Sequence, residues 1–177
     1  MAQPLTDALA VSAVKRIFQY LPAAYKDGDD SRAREEMSAA ALEAGICINN
    51  SSVTIVHGMS RPIGALFHVP HGLSNAMLLE KCMAFAADGA ADRFAKLARA
   101  IGKADANDSD LEAARKFAEA VEKLAEWNKT MKLDTVGIRE FEAAYHNKTY
   151  PGLGVVKKYS IMHHLELMSK YLDGVAK

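Results

Sequence analysis

Apolar side chains recur at helical spacing along most of this chain, and this periodicity constrains the fold more than any other feature. The first stripe comprises Leu9, Ala13, Val14, Ile17, Phe18 and Leu21. Apolar positions three and four residues apart form one face of an α-helix. Alanine and leucine are abundant, runs of β-branched residues are short, and no hairpin dipeptide separates alternating segments. The sequence therefore predicts an all-α protein, a helical bundle.

Capping residues and prolines predict where the helices begin and end. Pro4 and Thr6 open the first helix, Pro22 ends or kinks it, and Ser31 caps a second helix that runs towards Ile46. Further helices are predicted over 53–63, 73–85, 92–101, 110–131, 137–145 and 155–172. Because 103–110 is the most polar stretch, it is the best linker candidate. We therefore expect one helical part at 1–105 and a second, packed on it, at 106–177.

Charge and composition exclude several classes of protein. The 22 basic and 22 acidic side chains cancel, so no basic surface for nucleic acid is expected. No apolar run approaches the roughly 18 residues of a membrane-spanning helix, and no targeting segment is recognisable at the N-terminus. Cys47 and Cys82 lack a CxxC partner and are expected to be reduced, buried thiols. These features predict a cytoplasmic protein that does not enter a membrane.

No phosphate-binding turn for a nucleotide is recognisable in the sequence. The nearest candidate, Gly152 and Gly154, lacks the third glycine and a preceding strand. We therefore expect no nucleotide-binding domain within these residues.

The stretch from 55 to 75 holds three of the six histidines and is the most informative for chemistry. His57 lies in a predicted helix, and His71 follows Pro70, which restricts the local backbone. Two imidazoles from separate elements can converge on one iron or zinc ion. The spacing is also compatible with a core position for His57 and a capping position for His71. Spacing alone leaves both interpretations open.

The same stretch resembles the signature of the iron-dependent alcohol dehydrogenases. In that family a helix carries V-H-x-M and the following turn carries P-H-G-x-x-N-A, which this chain matches with VHGM at 56–59 and PHGLSNA at 70–76. Four further segments are similar to family segments: PLTDALA at 4–10, YLP at 20–22, AGI at 44–46 and RFAKLA at 93–98. The resemblance covers roughly residues 1–105, whereas 132–177 diverges. It implies the helical, metal-binding C-terminal half of such an enzyme, with His57 and His71 as ligands of iron or zinc.

The resemblance also assigns expectations to neighbouring residues. The family's two other ligands, an Asp and a His four residues apart, lie upstream of the segment that matches 4–10, so we expect only two of the four ligands here. Arg61 stands where the family often has a third histidine near the nicotinamide; it is a candidate contact for the cofactor's phosphate or the substrate, or else a surface arginine. His68 is expected to line the pocket. Asn75 either orients a ligand histidine or caps a helix.

In the intact family the metal polarises the alcohol oxygen, and hydride passes to a nicotinamide held by the N-terminal domain. We single out no general acid or base in this chain. The resemblance therefore implies little activity from this chain alone, a small alcohol as substrate of the complete enzyme, and NAD(P) supplied by another chain. Self-association or a partner chain with the cofactor domain is expected. Two alternatives stay open: a stand-alone metal- or ligand-binding module, and a structural relic without catalysis.

Overall fold

The computed structural model describes residues 3–125, and these form six α-helices without a strand. The helices are α1 (Pro4–Lys26), α2 (Ser31–Ser51), α3 (Ile55–Phe67), α4 (His71–Ala87), α5 (Ala91–Ala100) and α6 (Asp110–Leu124). A single 3-10 turn, Asp88–Ala90, links α4 to α5. The predicted all-α class is confirmed. The helices predicted beyond Ala125, and most of the expected second part at 106–177, lie outside the described residues, so the division near 105 stays a prediction.

Local side-chain chemistry fixes where two of the helices start. Ser109 accepts a hydrogen bond from the Glu112 backbone N–H, and the Glu112 carboxylate accepts one from the Ser109 backbone N–H. This reciprocal capping box satisfies N–H groups that lack partners within the helix. The cap of α2 is Asp30, whose Oδ1 accepts from the Ala33 N–H at 2.9 Å. The prediction of Ser31 as the cap was wrong by one residue. The Asp30 carboxylate accepts the capping hydrogen bond, and Ser31 is the first helical residue.

Pro22 does not end the first helix. The helix α1 continues through it to Lys26, and the Asp27 N–H still donates to the Ala23 carbonyl oxygen at 2.9 Å. A proline removes one N–H donor from a helix, but the hydrogen bonds on either side can persist when neighbouring structure holds the turn. Here Pro22 itself is exposed, while α1 as a whole packs along α2.

The described residues divide into two compact units, 3–53 with 80–125 and 54–79. In the larger unit α1 packs along α2, and α5 packs along α6. Alanines form much of both contacts: Ala13, Ala33 and Ala40 are buried in the first pair of helices, and Ala95, Ala98 and Ala113 in the second. A methyl side chain allows helix axes to approach closely, so the alanine-rich composition is explained by packing.

A polar network ties α1 to α2 at the side of their contact. Arg16 forms ion pairs with Glu36 and with Glu43, the latter with 3.5 Å between Nε and Oε1. Ser12 Oγ donates to Glu43 Oε1 at 2.9 Å. Four polar side chains on one helix pair are therefore connected through shared partners, and this network fixes the register of the pair and contributes to its stability.

The aromatic centre of the larger unit is Phe117. Its ring lies 5.4 Å from the Phe94 ring and 6.0 Å from the Phe18 ring, between centroids. Val121, Ala95 and the other buried residues of α5 and α6 surround it, with partly buried residues of α1 against them. One side chain thus joins three helices, α1, α5 and α6.

The two cysteines have different environments. Cys82 is buried, as predicted, and burial raises the pKa of its thiol. Cys47 is only half-buried, and its Sγ lies 3.2 Å from the Thr6 carbonyl oxygen. No disulfide joins the two cysteines of the sequence, and their reduced state stays a prediction.

Within residues 3–125 no single helix is both long and apolar enough to cross a membrane. Taken together, α2 and α3, which are interrupted between Ser51 and Ile55, meet that criterion by length and composition alone.

Ser52 ends α2 with φ 77° and ψ 176°, a backbone conformation that is nearly exclusive to glycine. We expect Ser52→Gly to raise the free energy of unfolding by about 1 kcal/mol, because it relieves this strain at an exposed position. Ser38→Gly is the matched control. Ser38 is helical, so the same substitution there should lower stability by about 0.5 kcal/mol. Urea unfolding followed by circular dichroism measures both, and a destabilised Ser52→Gly variant would contradict the prediction.

Candidate metal centre

The smaller unit, 54–79, contains α3 and the first half of α4, and it carries both candidate ligands. The helix α3 buries one broad face, formed by Val56, Met59, Ser60, Pro62, Ile63 and Phe67. His57 lies at the edge of this face and is half-buried. His71 is the first residue of α4 and is exposed.

A tight turn brings the start of α4 back to α3. His68 ends α3 in the left-handed region, with φ 56° and ψ 25°, and its N–H donates to the Gly64 carbonyl oxygen at 3.1 Å. A Cβ on Gly64 would stand 3.3 Å from the Val69 carbonyl oxygen, so the missing side chain leaves room for the returning backbone. Val69 is buried, which anchors the turn. The turn thereby sets how close the two helices, and hence His57 and His71, come to each other.

Two buried serines hold the backbone at the two histidines in the same way. Ser60 Oγ donates to the His57 carbonyl oxygen at 3.3 Å, and Ser74 Oγ donates to the His71 carbonyl oxygen at 3.0 Å. Both serines have no exposed surface. A buried hydroxyl without a partner is costly, and these bonds remove that cost. Sequence reasoning missed this pair, although the repeated spacing H-x-x-S at 57–60 and 71–74 is a recognisable signal.

The two imidazoles lie side by side, with 5.3 Å between ring centroids and 55° between ring planes. A metal bound by imidazole nitrogen lies at about 2.0–2.1 Å from it, or about 3 Å from the ring centroid. Two rings that share one tetrahedral ion therefore have centroids about 5 Å apart. The observed separation fits a shared divalent metal.

The protonation of His57 also suits a ligand. Burial, followed by the positive charges of His71 and Arg61, lowers the pKa of His57 below its ordinary value. The ring is therefore neutral near pH 7 and offers a lone pair, which is the form that binds metal.

Asn75 contacts the second candidate ligand. Its amide nitrogen Nδ2 lies 3.1 Å from His71 Nε2, one helical turn away on α4. Because α4 begins at His71, Asn75 is too far along the helix to cap it. Of the two roles weighed from the sequence, the structure favours the orienting contact.

The other candidates lie around this pair. Arg61 is exposed and one turn beyond His57 on α3, where its charge acts on the His57 ring. His68 is exposed in the turn. Within residues 3–125 no group of three or more His, Cys, Asp or Glu side chains is arranged to hold a metal ion, so His68 does not complete a third ligand. His146, His163 and His164 lie outside the described residues.

Comparison with known proteins places the chain in a family. The profile of the Fe-containing alcohol dehydrogenase family, C-terminal, matches residues 1–148. The chain is 34% identical over 143 residues to the NAD-dependent methanol dehydrogenase of Bacillus methanolicus, covering 78% of this chain and 37% of the relative. It is 33% identical over 145 residues to the 1,3-propanediol dehydrogenase of Klebsiella pneumoniae, covering 81% and 38%.

Solved structures give the same result. A crystal structure of 1,3-propanediol oxidoreductase superposes with a TM-score of 0.74 at 28% identity, over 96% of this chain and 46% of that one. An alcohol dehydrogenase from Oenococcus oeni gives a TM-score of 0.71 at 25% identity, over 97% and 45%. The chain thus spans less than half the length of these relatives. By sequence and by fold, the chain belongs to the iron-containing alcohol dehydrogenase family and corresponds to its helical C-terminal domain.

Proposed function

We propose that this chain is the metal-binding helical part of an iron-dependent alcohol dehydrogenase, with His57 and His71 as two ligands of a divalent iron or zinc ion. The observation that carries the proposal is the 5.3 Å separation of the two rings, which come from different helices and stand in the family's two motifs. A bound divalent metal supplies Lewis acidity that polarises an alcohol oxygen and lowers its pKa. Methanol, 1-propanol and 1,3-propanediol appear in the names of relatives, which supports a small primary alcohol as substrate.

Several residues of this chain have separate roles at the proposed metal site. His57 offers a neutral ring from α3, and His71 offers a second ring from the first turn of α4. The serines at 60 and 74 fix the backbone beneath both rings. Arg61 adds a positive charge one turn from His57, which suits an anionic partner such as a phosphate of NAD(P).

Two imidazoles leave a metal's coordination shell half filled, since a tight site takes three or four protein ligands. We infer that the remaining ligands and the nicotinamide-binding surface come from another part of the enzyme, for example a partner chain. Oxidation of an alcohol also needs the nicotinamide to be held against the substrate. The chain alone is therefore expected to bind metal weakly and to be a poor catalyst.

Titration of the unmodified chain with Co²⁺, beside elemental analysis after anaerobic purification without chelators, tests the metal site. We expect one Co²⁺ per chain and a visible absorption band that reports nitrogen ligation. Tight binding would favour the stand-alone metal-binding module instead. The absence of binding at millimolar Co²⁺ would overturn the proposal and favour a helical domain that keeps the motif as a relic.

An alcohol-oxidation assay tests the need for another part of the enzyme. With 1-propanol, Fe²⁺ or Zn²⁺ and either NAD or NADP, the purified chain is expected to form no more NAD(P)H than a chelator-treated control. The physical reason is that the reacting carbon and the nicotinamide must be held in contact, about 3–3.5 Å apart. Turnover well above that control would show that the chain is a complete catalyst.

A further inference from the structure

The side-chain amide of Asn75 is unevenly satisfied. Its nitrogen Nδ2 lies 3.1 Å from His71 Nε2, whereas its oxygen Oδ1 is buried and has no hydrogen-bond partner among the described residues. A buried polar atom without a hydrogen-bond partner is destabilising, so this arrangement lowers the stability of the folded unit. The hydrogen bond to the His71 ring offsets part of this loss.

That contact determines where the proton of the neutral His71 ring lies. With the amide in this orientation, its NH₂ group donates and Nε2 accepts through its lone pair. The proton of the neutral ring is then on Nδ1. Reversing the amide would put an acceptor at Nε2 and would force the opposite tautomer. It would also bury the NH₂ group where Oδ1 now lies, and buried N–H groups are left without partners less often than carbonyl oxygens are.

We propose that Asn75 is a positioning residue that holds metal-free His71 in the Nδ1–H tautomer and occupies the Nε2 lone pair until a metal takes it. The metal-binding part of this inference rests on the proposed function. Nε2 is then the ligand atom of His71, and the Asn75 amide must release it as the metal binds. The amide thus holds the ring in one tautomer, and it competes with the metal for the same lone pair.

The tautomer can be read without any metal. Long-range ¹H–¹⁵N spectra of the full chain, labelled with ¹⁵N, treated with chelator and held at pH 8, distinguish the two ring nitrogens, and the His71→Gln spectrum assigns the signals. We expect the Nδ1–H form for His71 in the unmodified chain. Asn75→Asp should reverse the tautomer, because a carboxylate only accepts and therefore requires Nε2–H. An Nε2–H ring in the unmodified chain, or no change in Asn75→Asp, would overturn the proposal.

The competition is tested with Co²⁺ and the similarly sized Asn75→Leu variant. Loss of the hydrogen bond to Nε2 should tighten Co²⁺ binding about 2- to 10-fold, since a net hydrogen bond is of that order. Asn50→Leu is the matched control: Asn50 also bonds back one turn, from Nδ2 to the Ile46 carbonyl oxygen at 2.8 Å, and should leave Co²⁺ binding unchanged. Unchanged or weaker binding by Asn75→Leu would overturn the displacement step. Failure of the unmodified chain to bind Co²⁺ would count against the metal site and leave the tautomer result standing by itself.

Discussion

The His71→Ala variant is expected to bind Co²⁺ at least about 100-fold more weakly than the unmodified chain, since even the loss of a residue that merely supports a ligand costs about 10- to 100-fold. The described part of the chain offers two imidazoles to a metal and no third His, Cys, Asp or Glu arranged beside them. Removal of either ring leaves a single ligand, which holds a divalent ion hardly better than an isolated histidine does. His57→Ala should therefore weaken binding to a similar extent.

The matched control for these variants is His68→Asn. It removes an exposed imidazole from the same stretch, and asparagine tolerates the left-handed backbone that His68 adopts. Isothermal titration with Co²⁺, together with the visible absorption band, measures all three variants. Equal binding by His71→Ala and His68→Asn would mean that the site lies elsewhere in the chain. Weak binding by His68→Asn alone would identify a different ligand pair.

The sequence predicted the helical fold because its evidence is local. Apolar spacing, alanine content and the absence of strand signals are properties of each segment. The helix prediction therefore does not depend on how the segments pack against one another. Boundaries were less predictable. Asp30 took the capping position expected for Ser31, and α1 passed through Pro22, because the effects that place a helix end are each worth only about 1–3 kcal/mol and neighbouring positions compete closely.

The candidate metal site was also only partly predictable from the sequence. The types and order of His57 and His71 are visible in the sequence, yet their 5.3 Å separation depends on the turn in which Gly64 lets the Val69 carbonyl pass close to α3. The contact of Asn75 with Nε2, and not with a backbone N–H, depends on where α4 begins. A shift of one residue in that helix start would give a different partner. The ring separation and the Asn75 contact both depend on backbone geometry, which the spacing of residues in the sequence does not determine.

Replacement of Phe117 by alanine is expected to lower the free energy of unfolding by about 3–5 kcal/mol, the usual cost of truncating a buried phenylalanine. Phe117 is 4% exposed and contacts the rings of Phe18 and Phe94, so one substitution loosens α1, α5 and α6 together. The cost depends on how far neighbours can move into the space that is left. The neighbours here include Ala95, Ala98 and Ala113, and a methyl group has no rotamer with which to fill a cavity.

Phe85→Ala provides the control for this prediction, because Phe85 is 63% exposed and its loss creates no cavity. Urea unfolding of the full chain, followed by circular dichroism, should place the Phe117→Ala midpoint far below that of Phe85→Ala. A loss of less than about 1.5 kcal/mol, the range of well-tolerated hydrophobic replacements, would mean that α5 and α6 can close over the missing ring. The alanine contacts between α5 and α6 would then allow the two helices to shift relative to each other. A loss in the expected range would mean that they lock the helices at a fixed distance, with Phe117 as the side chain that fills the remaining volume.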